Sequence, residues 1–191
     1  MEWELQFLNW IQMLHNPVLD AVLVFFTTIG NAGAVWILLG VVLLIIPKTR
    51  KSGAVVLLAV LIDTILCNGI LKHLFARIRP CDVNTAVSLL ITRPADYSFP
   101  SGHTAVAFAA VTACGLVGER RLWIPTLMPA CVIAFSRMYL YVHYPTDILG
   151  GAVVGVISGI LAWLIGRRFF LPTDQKHGKG RTDDDHISDD A

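Results

Sequence analysis

Apolar residues fill most of the chain and are interrupted by a few short polar segments. Six apolar runs lie at about 18–30, 33–46, 53–71, 104–118, 122–140 and 146–166. A helix needs about 20 apolar residues to cross the ~30 Å hydrocarbon core of a bilayer, and ~17 is near the lower limit. The pattern therefore predicts an all-α polytopic membrane protein, a six-span helical bundle in which the first two spans are short.

The first segment of the chain has an amphipathic pattern instead. Apolar residues recur there every three or four positions, at Trp3, Phe7, Trp10, Ile11 and Leu14. With acidic and amide residues between them, this spacing predicts a helix that lies in the membrane interface. We therefore divide the chain into an interfacial helix (1–16), a six-span domain (17–170) and a polar tail (171–191) that is expected to be disordered.

Composition supports the membrane class and narrows the partners. The chain is 55% hydrophobic and 15% charged, whereas a soluble domain carries roughly 25% charged residues. The net charge of +1 gives no reason to expect nucleic acid as a partner, so the expected partners are membrane lipids. The four cysteines form no CxxC pair and indicate neither a zinc site nor a disulfide framework.

The distribution of basic residues predicts the orientation. In a six-span bundle, the basic segments 48–51, 119–121 and 167–168 fall on one side. The positive-inside rule makes that side the cytoplasm of a plasma-membrane protein, with both termini on it. The remaining polar clusters then lie on the extracytoplasmic face, although they also contain cations.

One of these clusters holds His143, four residues before Asp147. A carboxylate one helical turn away can accept a hydrogen bond from one imidazole nitrogen and leave the other free to attack an electrophile. The same pair is equally consistent with a helix-capping aspartate beside an interfacial histidine.

A second cluster, Ser101-Gly102-His103, precedes the apolar run 104–118. The N–H groups at a helix N-terminus bind anions, and Gly102 permits close approach of the backbone. Ser101 adds a hydroxyl donor, and His103 is placed to protonate a leaving oxygen. Alternatively, Ser101 is an ordinary N-cap next to a chance histidine.

The remaining polar residues of these clusters are cations. Lys72, Arg79 and Arg137 can bind phosphate oxygens, the two guanidinium groups as bidentate forks. Since no acidic cluster offers a metal site, these side chains and backbone amides would have to stabilise developing charge. Arg77 and Arg93 are interpreted as side chains that extend to the membrane surface.

Together the clusters resemble the three-part motif of the PAP2 superfamily, the type 2 phosphatidic acid phosphatases. The resemblance covers residues from about 53 to 166 and rests on Lys72-x6-Arg79-Pro80, Pro100-Ser101-Gly102-His103 and Ser136-Arg137-x5-His143-x3-Asp147. It implies a metal-independent enzyme with no cofactor and a phosphohistidine intermediate. His143 would be the nucleophile, Asp147 its partner and His103 the general acid. The implied phosphate ligands are Lys72, Arg79, Ser101, Gly102 and Arg137.

The resemblance is greatest to the bacterial undecaprenyl diphosphate phosphatases of this superfamily, which implies a lipid diphosphate as substrate. Phosphatidylglycerophosphate and phosphatidate are the alternative substrates. Soluble vanadium haloperoxidases share the motif but do not fit the apolar runs. A membrane transporter that binds an anion without turnover is a further alternative, and the two histidines with Asp147 favour the enzyme. The sequence makes no prediction of the oligomeric state.

Overall fold

The computed structural model describes residues 2–169 of this protein. All the regular secondary structure within this range is helical. The helices are α1 (Glu2–Gln12), α2 (Pro17–Ile29), α3 (Ala34–Ile45), α4 (Arg50–Asp63), α5 (Lys72–Phe75), α6 (Pro80–Val83), α7 (Gly102–Leu116), α8 (Arg120–Tyr139) and α9 (Pro145–Phe169). A 3₁₀ turn, Asn31–Gly33, separates α2 from α3, and a π-helical segment, Thr64–Leu71, joins α4 to α5. The all-α prediction is confirmed, whereas the predicted tail at 171–191 lies outside the described residues.

The helix lengths test the number of spans. Within residues 2–169, three stretches are long and apolar enough to cross a membrane: Arg50–Val83, Arg121–Tyr139 and Pro145–Phe169. Helices α2 and α3 qualify together as a fourth span bent by 50°, and α7 is shorter, at 15 residues. Each predicted apolar run is therefore helical, and the protein belongs in a membrane. The count of six spans stays a prediction.

Helix α1 forms at the predicted place and packs against the helical domain. Its Leu8 and Ile11 are fully buried in a cluster that includes Tyr139 and Leu140. Trp3 remains 57% exposed on the opposite face. Of the five apolar positions that predicted this helix, only Ile11 is buried, and the packed face also contains Leu8, which was not part of the pattern. The other four, Trp3, Phe7, Trp10 and Leu14, are exposed, and the placement of α1 in the membrane interface stays a prediction.

The three basic segments gather at one end of the bundle. The Ser52 hydroxyl donates a 2.8 Å hydrogen bond to Glu119 Oε1. A methyl group added at Gly166 would lie 2.4 Å from Val55, so the end of α9 lies beside the start of α4. Helix α7 ends close to Glu119, and α4 continues through the π-helical segment to α5, so Lys72 and the first residues of α7 and α9 lie toward the opposite end.

Helices α7 and α9 pack closely together, and their contact supports this arrangement. Small residues on α9 face the backbone of α7, and a methyl group at Gly155 would lie only 2.2 Å from the Ala105 carbonyl oxygen. Glycines spaced by four residues allow two helices in a membrane to approach this closely. The contact continues to the N-terminal ends, where the Ser101 N–H donates to the Asp147 carbonyl at 3.0 Å.

We predict that Gly155→Ala destabilises the protein, because the added methyl group has no space against α7. Overpacking of this kind costs about 1–3 kcal/mol, which should lower the melting temperature of the purified protein in detergent. Gly69→Ala is the matched control, since a methyl group there meets no atom within 4 Å. A Gly155→Ala variant as stable as the control would show that α7 and α9 are not packed this closely.

Candidate active site

A cavity of about 570 Å³ opens at the end of the bundle opposite the basic segments. Six of the eight predicted site residues line it: Lys72, Arg79, Gly102, His103, Arg137 and His143. The other two, Ser101 and Asp147, are fully buried behind it. The fold therefore brings together three clusters that are far apart in the sequence.

The turn between α8 and α9 positions His143. The N–H of His143 donates to the Arg137 carbonyl at 3.3 Å, so the ring is held just beyond the end of α8. Its Nδ1 atom lies 3.4 Å from Asp147 Oδ2 and forms no hydrogen bond among the described residues, and its Nε2 atom lies 3.1 Å from Arg79 Nη1. Because a guanidinium can only donate, Nε2 is the acceptor and the ring hydrogen belongs on Nδ1, facing Asp147. This tautomer leaves a lone pair on the nitrogen beside the cavity.

The surroundings of His143 favour the neutral ring. Burial lowers its pKa well below the ordinary value, and the positive charges of Arg79, Arg137 and Lys72 lower it further. A neutral imidazole at physiological pH is the form that can act as a nucleophile.

The carboxylate of Asp147 is held from three sides in the first turn of α9. Its Oδ2 atom accepts hydrogen bonds from the Ser98 hydroxyl and, at 2.9 Å, from the Tyr144 N–H. Its Oδ1 atom accepts from Arg77 at 2.6 Å. Asp147 thus caps its own helix and also faces His143, so the two interpretations of this pair are compatible.

The interpretation of Arg77 as a surface side chain is wrong. Its guanidinium pairs with Asp147 on one side and with Glu4 of α1 on the other, each at 2.6 Å. It also lies over the Tyr144 ring, 4.0 Å from the centroid. Glu4 is one of the acidic residues between the apolar positions that predicted α1, but it is only 3% exposed. The sequence does contain a signal, since Glu4 shares the i, i+4, i+7 face of Leu8 and Ile11. Arg93, by contrast, is exposed and pairs with Asp82 at 3.0 Å.

Asp96 was not predicted as a site residue and joins two of the cations. Its carboxylate bridges the Lys72 ammonium and the Arg79 guanidinium, the latter at 2.6 Å. Burial alone would raise the pKa of Asp96, but the hydrogen bond from Lys72 and both positive charges outweigh it, so the pKa lies well below its ordinary value. Asp96 remains 53% exposed at the mouth of the cavity.

Arg137 has fewer hydrogen-bond partners among the described residues than Arg79 has. Its Nη1 atom donates to the Thr27 hydroxyl, which anchors the side chain to α2. Its Nε atom is buried and has no hydrogen-bond partner among the described residues. A buried donor of this kind is costly, and Arg137 is one of the residues that line the cavity.

The start of α7 presents Gly102 and His103 to the cavity. A methyl group at Gly102 would lie 2.8 Å from Asn68 Oδ1, so the site has no space for a side chain there. His103 Nε2 lies 2.9 Å from Oδ1 of Asn31, a cavity residue that was also not predicted. The Ser101 hydroxyl instead accepts a 3.1 Å hydrogen bond from Thr104 and lies outside the cavity lining.

This arrangement suits the chemistry of a tetrahedral anion. Cations and the first N–H groups of α7 surround the cavity, a neutral imidazole has its lone pair on the cavity side, and a second imidazole lies on the same cavity wall. An anion bound there would lie close to both imidazole rings.

Comparison with known proteins identifies the family of this chain. The sequence model described as the PAP2 superfamily matches residues 53–170. The chain is 31% identical to an undecaprenyl-diphosphatase of Sulfolobus acidocaldarius over 137 residues, which are 72% of this chain and 66% of that protein. It is 35% identical to undecaprenyl-diphosphatase BcrC of Bacillus subtilis over 149 residues, 77% of this chain and 75% of that one.

A solved structure has the same fold. The crystal structure of Aquifex aeolicus LpxE superposes with a TM-score of 0.72 at 31% identity, over 84% of this chain and 94% of that one. Residues 53–170, which the family model matches, contain the three predicted motifs. The chain therefore belongs to the PAP2 superfamily, as its three motifs predicted, and is one of the phosphatases of that family.

Proposed function

We propose that the protein is an integral membrane lipid phosphatase that acts through a phosphohistidine on His143. The observation that carries this proposal is the orientation of the His143 ring, with Nε2 beside Arg79 on the cavity side and Nδ1 toward Asp147. An anion-binding protein without turnover would need the cations but would not need a histidine held in this tautomer.

The reaction would proceed in two steps at Nε2. In the first, Nε2 forms a bond to phosphorus as the bond to the leaving oxygen breaks, and His103 protonates that oxygen. Asp147 stabilises the positive charge that forms on the His143 ring. In the second step, water attacks phosphorus and gives its proton to His103. The Nε2–phosphorus bond breaks, inorganic phosphate leaves and His143 is regenerated.

Binding of phosphate would also free the lone pair on His143 Nε2. All the N–H groups of Arg79 have protein acceptors, namely the Asp96 carbonyl and carboxylate, the Tyr97 and Val142 carbonyls and His143 Nε2. An incoming phosphate is a better acceptor than a neutral imidazole, because hydrogen bonds to an anion are about twice as strong. When Arg79 turns its donor to phosphate, the Nε2 lone pair becomes free to attack.

A second cavity offers room for the leaving group. It measures about 330 Å³ and extends from His103 toward the α2–α3 turn, with Thr64 and Asn68 on its wall. Its position beside His103 suits an oxygen that must be protonated as it departs.

Undecaprenyl diphosphate is the proposed substrate, and its product would be undecaprenyl phosphate. Support comes from the curated relatives that carry the name undecaprenyl-diphosphatase at 31% and 35% identity. Phosphatidylglycerophosphate and phosphatidate remain the alternatives, since the side chains around the cavity select for phosphate and not for a lipid tail. The proposed site faces the extracytoplasmic side, because the basic segments lie at the other end of the bundle.

We predict that His143→Ala abolishes phosphate release from undecaprenyl diphosphate, with a loss of roughly a thousand-fold or more, because no other group can form the covalent intermediate. Malachite-green detection of released phosphate from purified protein in detergent measures this. The matched control is His73→Ala, an exposed histidine that should retain wild-type activity.

Running phosphatidate and phosphatidylglycerophosphate in parallel tests the substrate. The highest kcat/KM is expected with undecaprenyl diphosphate. A higher kcat/KM with either phospholipid would identify that phospholipid as the substrate instead. Wild-type-like release by a folded His143→Ala protein would rule out the phosphohistidine route.

We predict that a cysteine at position 95 reacts with a membrane-impermeant maleimide in intact cells, whereas one at position 48 reacts only after lysis. Both positions are exposed, at opposite ends of the bundle. The labelling is done in a Cys131→Ser background, because Cys131 is exposed and the other three cysteines are buried. The reverse pattern would place the active site in the cytoplasm.

We predict that Asp96→Asn tightens inhibition by inorganic phosphate by roughly two- to five-fold, the size expected for one partly exposed ion pair. The anion would no longer compete with a carboxylate for Lys72 and Arg79. The inhibition constant is measured beside Asp82→Asn, an exposed aspartate paired with Arg93. Weaker inhibition in Asp96→Asn would mean that Asp96 assembles the phosphate site instead of competing for it.

A further inference from the structure

A continuous chain of ionic contacts connects the N-terminal helix to the orienting carboxylate of the site. Glu4 Oε2 accepts from Arg77 Nη2 at 2.6 Å, and Arg77 Nη1 donates to Asp147 Oδ1 at 2.6 Å. Thr146 closes the chain, since its hydroxyl donates to Glu4 Oε1 at 2.5 Å and accepts from Arg77 Nη1 at 2.7 Å. These contacts join α1, the segment after α5 and the first turn of α9.

The burial of these ionic contacts argues against a purely incidental pairing. The side chains of Glu4 and Asp147 are 5% and 0% exposed, and that of Arg77 is 22% exposed. Removing an ionised carboxylate from water costs several kcal/mol unless a counter-charge and hydrogen bonds compensate it. An apolar residue at position 4 would pack beside Leu8 and Ile11 at no such cost, so packing of α1 alone does not account for Glu4.

The geometry fixes the rotation of the Asp147 carboxylate. The Oδ1 atom is held by Arg77, whereas Oδ2 receives the Ser98 hydroxyl and the Tyr144 N–H and faces His143 Nδ1. If Arg77 released Oδ1, the carboxylate could turn about its Cβ–Cγ bond and lose its alignment with the imidazole. The aromatic ring of Tyr144 lies against the guanidinium and limits its movement in turn.

Glu4 has a separate electrostatic consequence. Arg77 places a full positive charge next to Asp147 and would weaken the attraction of that carboxylate for a positively charged His143 ring. Glu4 places a compensating negative charge on the far side of the guanidinium, so the three ionised groups together carry one net negative charge. The carboxylate is then held in place but keeps its ability to stabilise the charged ring.

We propose that Arg77 and Glu4 are positioning residues for the Asp147–His143 pair, and that α1 is therefore part of the catalytic apparatus. The inference rests on the proposed phosphatase function, because these residues act on the rate only through His143. Neither residue lines the cavity, so they should affect the chemical step and leave phosphate binding unchanged.

The test compares kcat and KM for purified Glu4→Gln, Arg77→Gln and Arg77→Lys on undecaprenyl diphosphate and on phosphatidate. We expect kcat to fall about ten-fold in Glu4→Gln and about a hundred-fold in Arg77→Gln, as for a small misalignment of a catalytic group. KM and inhibition by inorganic phosphate should stay within about two-fold of wild type, because the phosphate-binding residues are untouched. Arg77→Lys should retain more activity than Arg77→Gln, since it keeps the charge but not the fork.

Glu2→Gln is the matched control, being the same substitution at an exposed position of the same helix, and it should have wild-type kcat. Melting temperatures separate misfolding from a loss of positioning. A folded Glu4→Gln and a folded Arg77→Gln with wild-type kcat would overturn the inference, as would a loss in which KM and phosphate inhibition change together with kcat. The proposed function is judged separately, by turnover of the wild type and its loss in His143→Ala. If the wild type turns over neither lipid, both proposals fail.

Discussion

The close contact between α7 and α9 is the feature on which the site depends. Only at glycine positions such as Gly155 can the backbone of α9 lie directly against α7. Because the two helices start at the same end of the bundle, this contact brings His103 and Asp147 to the same place without any long-range pairing of their side chains. The hydrogen bond from the Ser101 N–H to the Asp147 carbonyl fixes the position of α7 along the axis of α9. The helical frame thus sets the spacing between the proposed acid, His103, and Asp147, the carboxylate that faces the proposed nucleophile.

Burial of charge is the second constraint, and it explains the polar contacts around the cavity. Arg79 and Asp147 are almost completely buried, and each uses every available bond to reduce the cost of leaving water. Asp147 requires Arg77, and Arg77 in turn lies against Glu4. Pairing therefore extends from the site to the N-terminal helix, because each buried charge needs a partner that is itself compensated.

The sequence could predict the residues that are tied to helix ends by local rules. Ser101-Gly102-His103 was expected at a helix start, where α7 begins, and the spacing of His143 and Asp147 by one turn predicts their proximity. It could not predict Glu4 with Arg77, which are 73 residues apart and meet only because α1 packs on α8. Asp96 and Asn31 lie in a loop and a turn without periodicity, so nothing local assigns them to the cavity. The number of spans is also poorly determined, because π-helical and bent segments change the length of a helix without changing its apolar pattern.

Two aspartates at this site form the same kind of ion pair but differ in burial, and this difference suits them to different roles. Asp96 and Asp147 both pair with an arginine at 2.6 Å. Asp96 is 53% exposed, so water can replace its partners at little cost and a phosphate can compete with it. Asp147 is fully buried, and breaking its ion pair would leave an uncompensated charge in a medium of low dielectric constant. The exposed carboxylate is therefore suited to yield its cations when substrate arrives, and the buried one is suited to stay in place through each catalytic cycle.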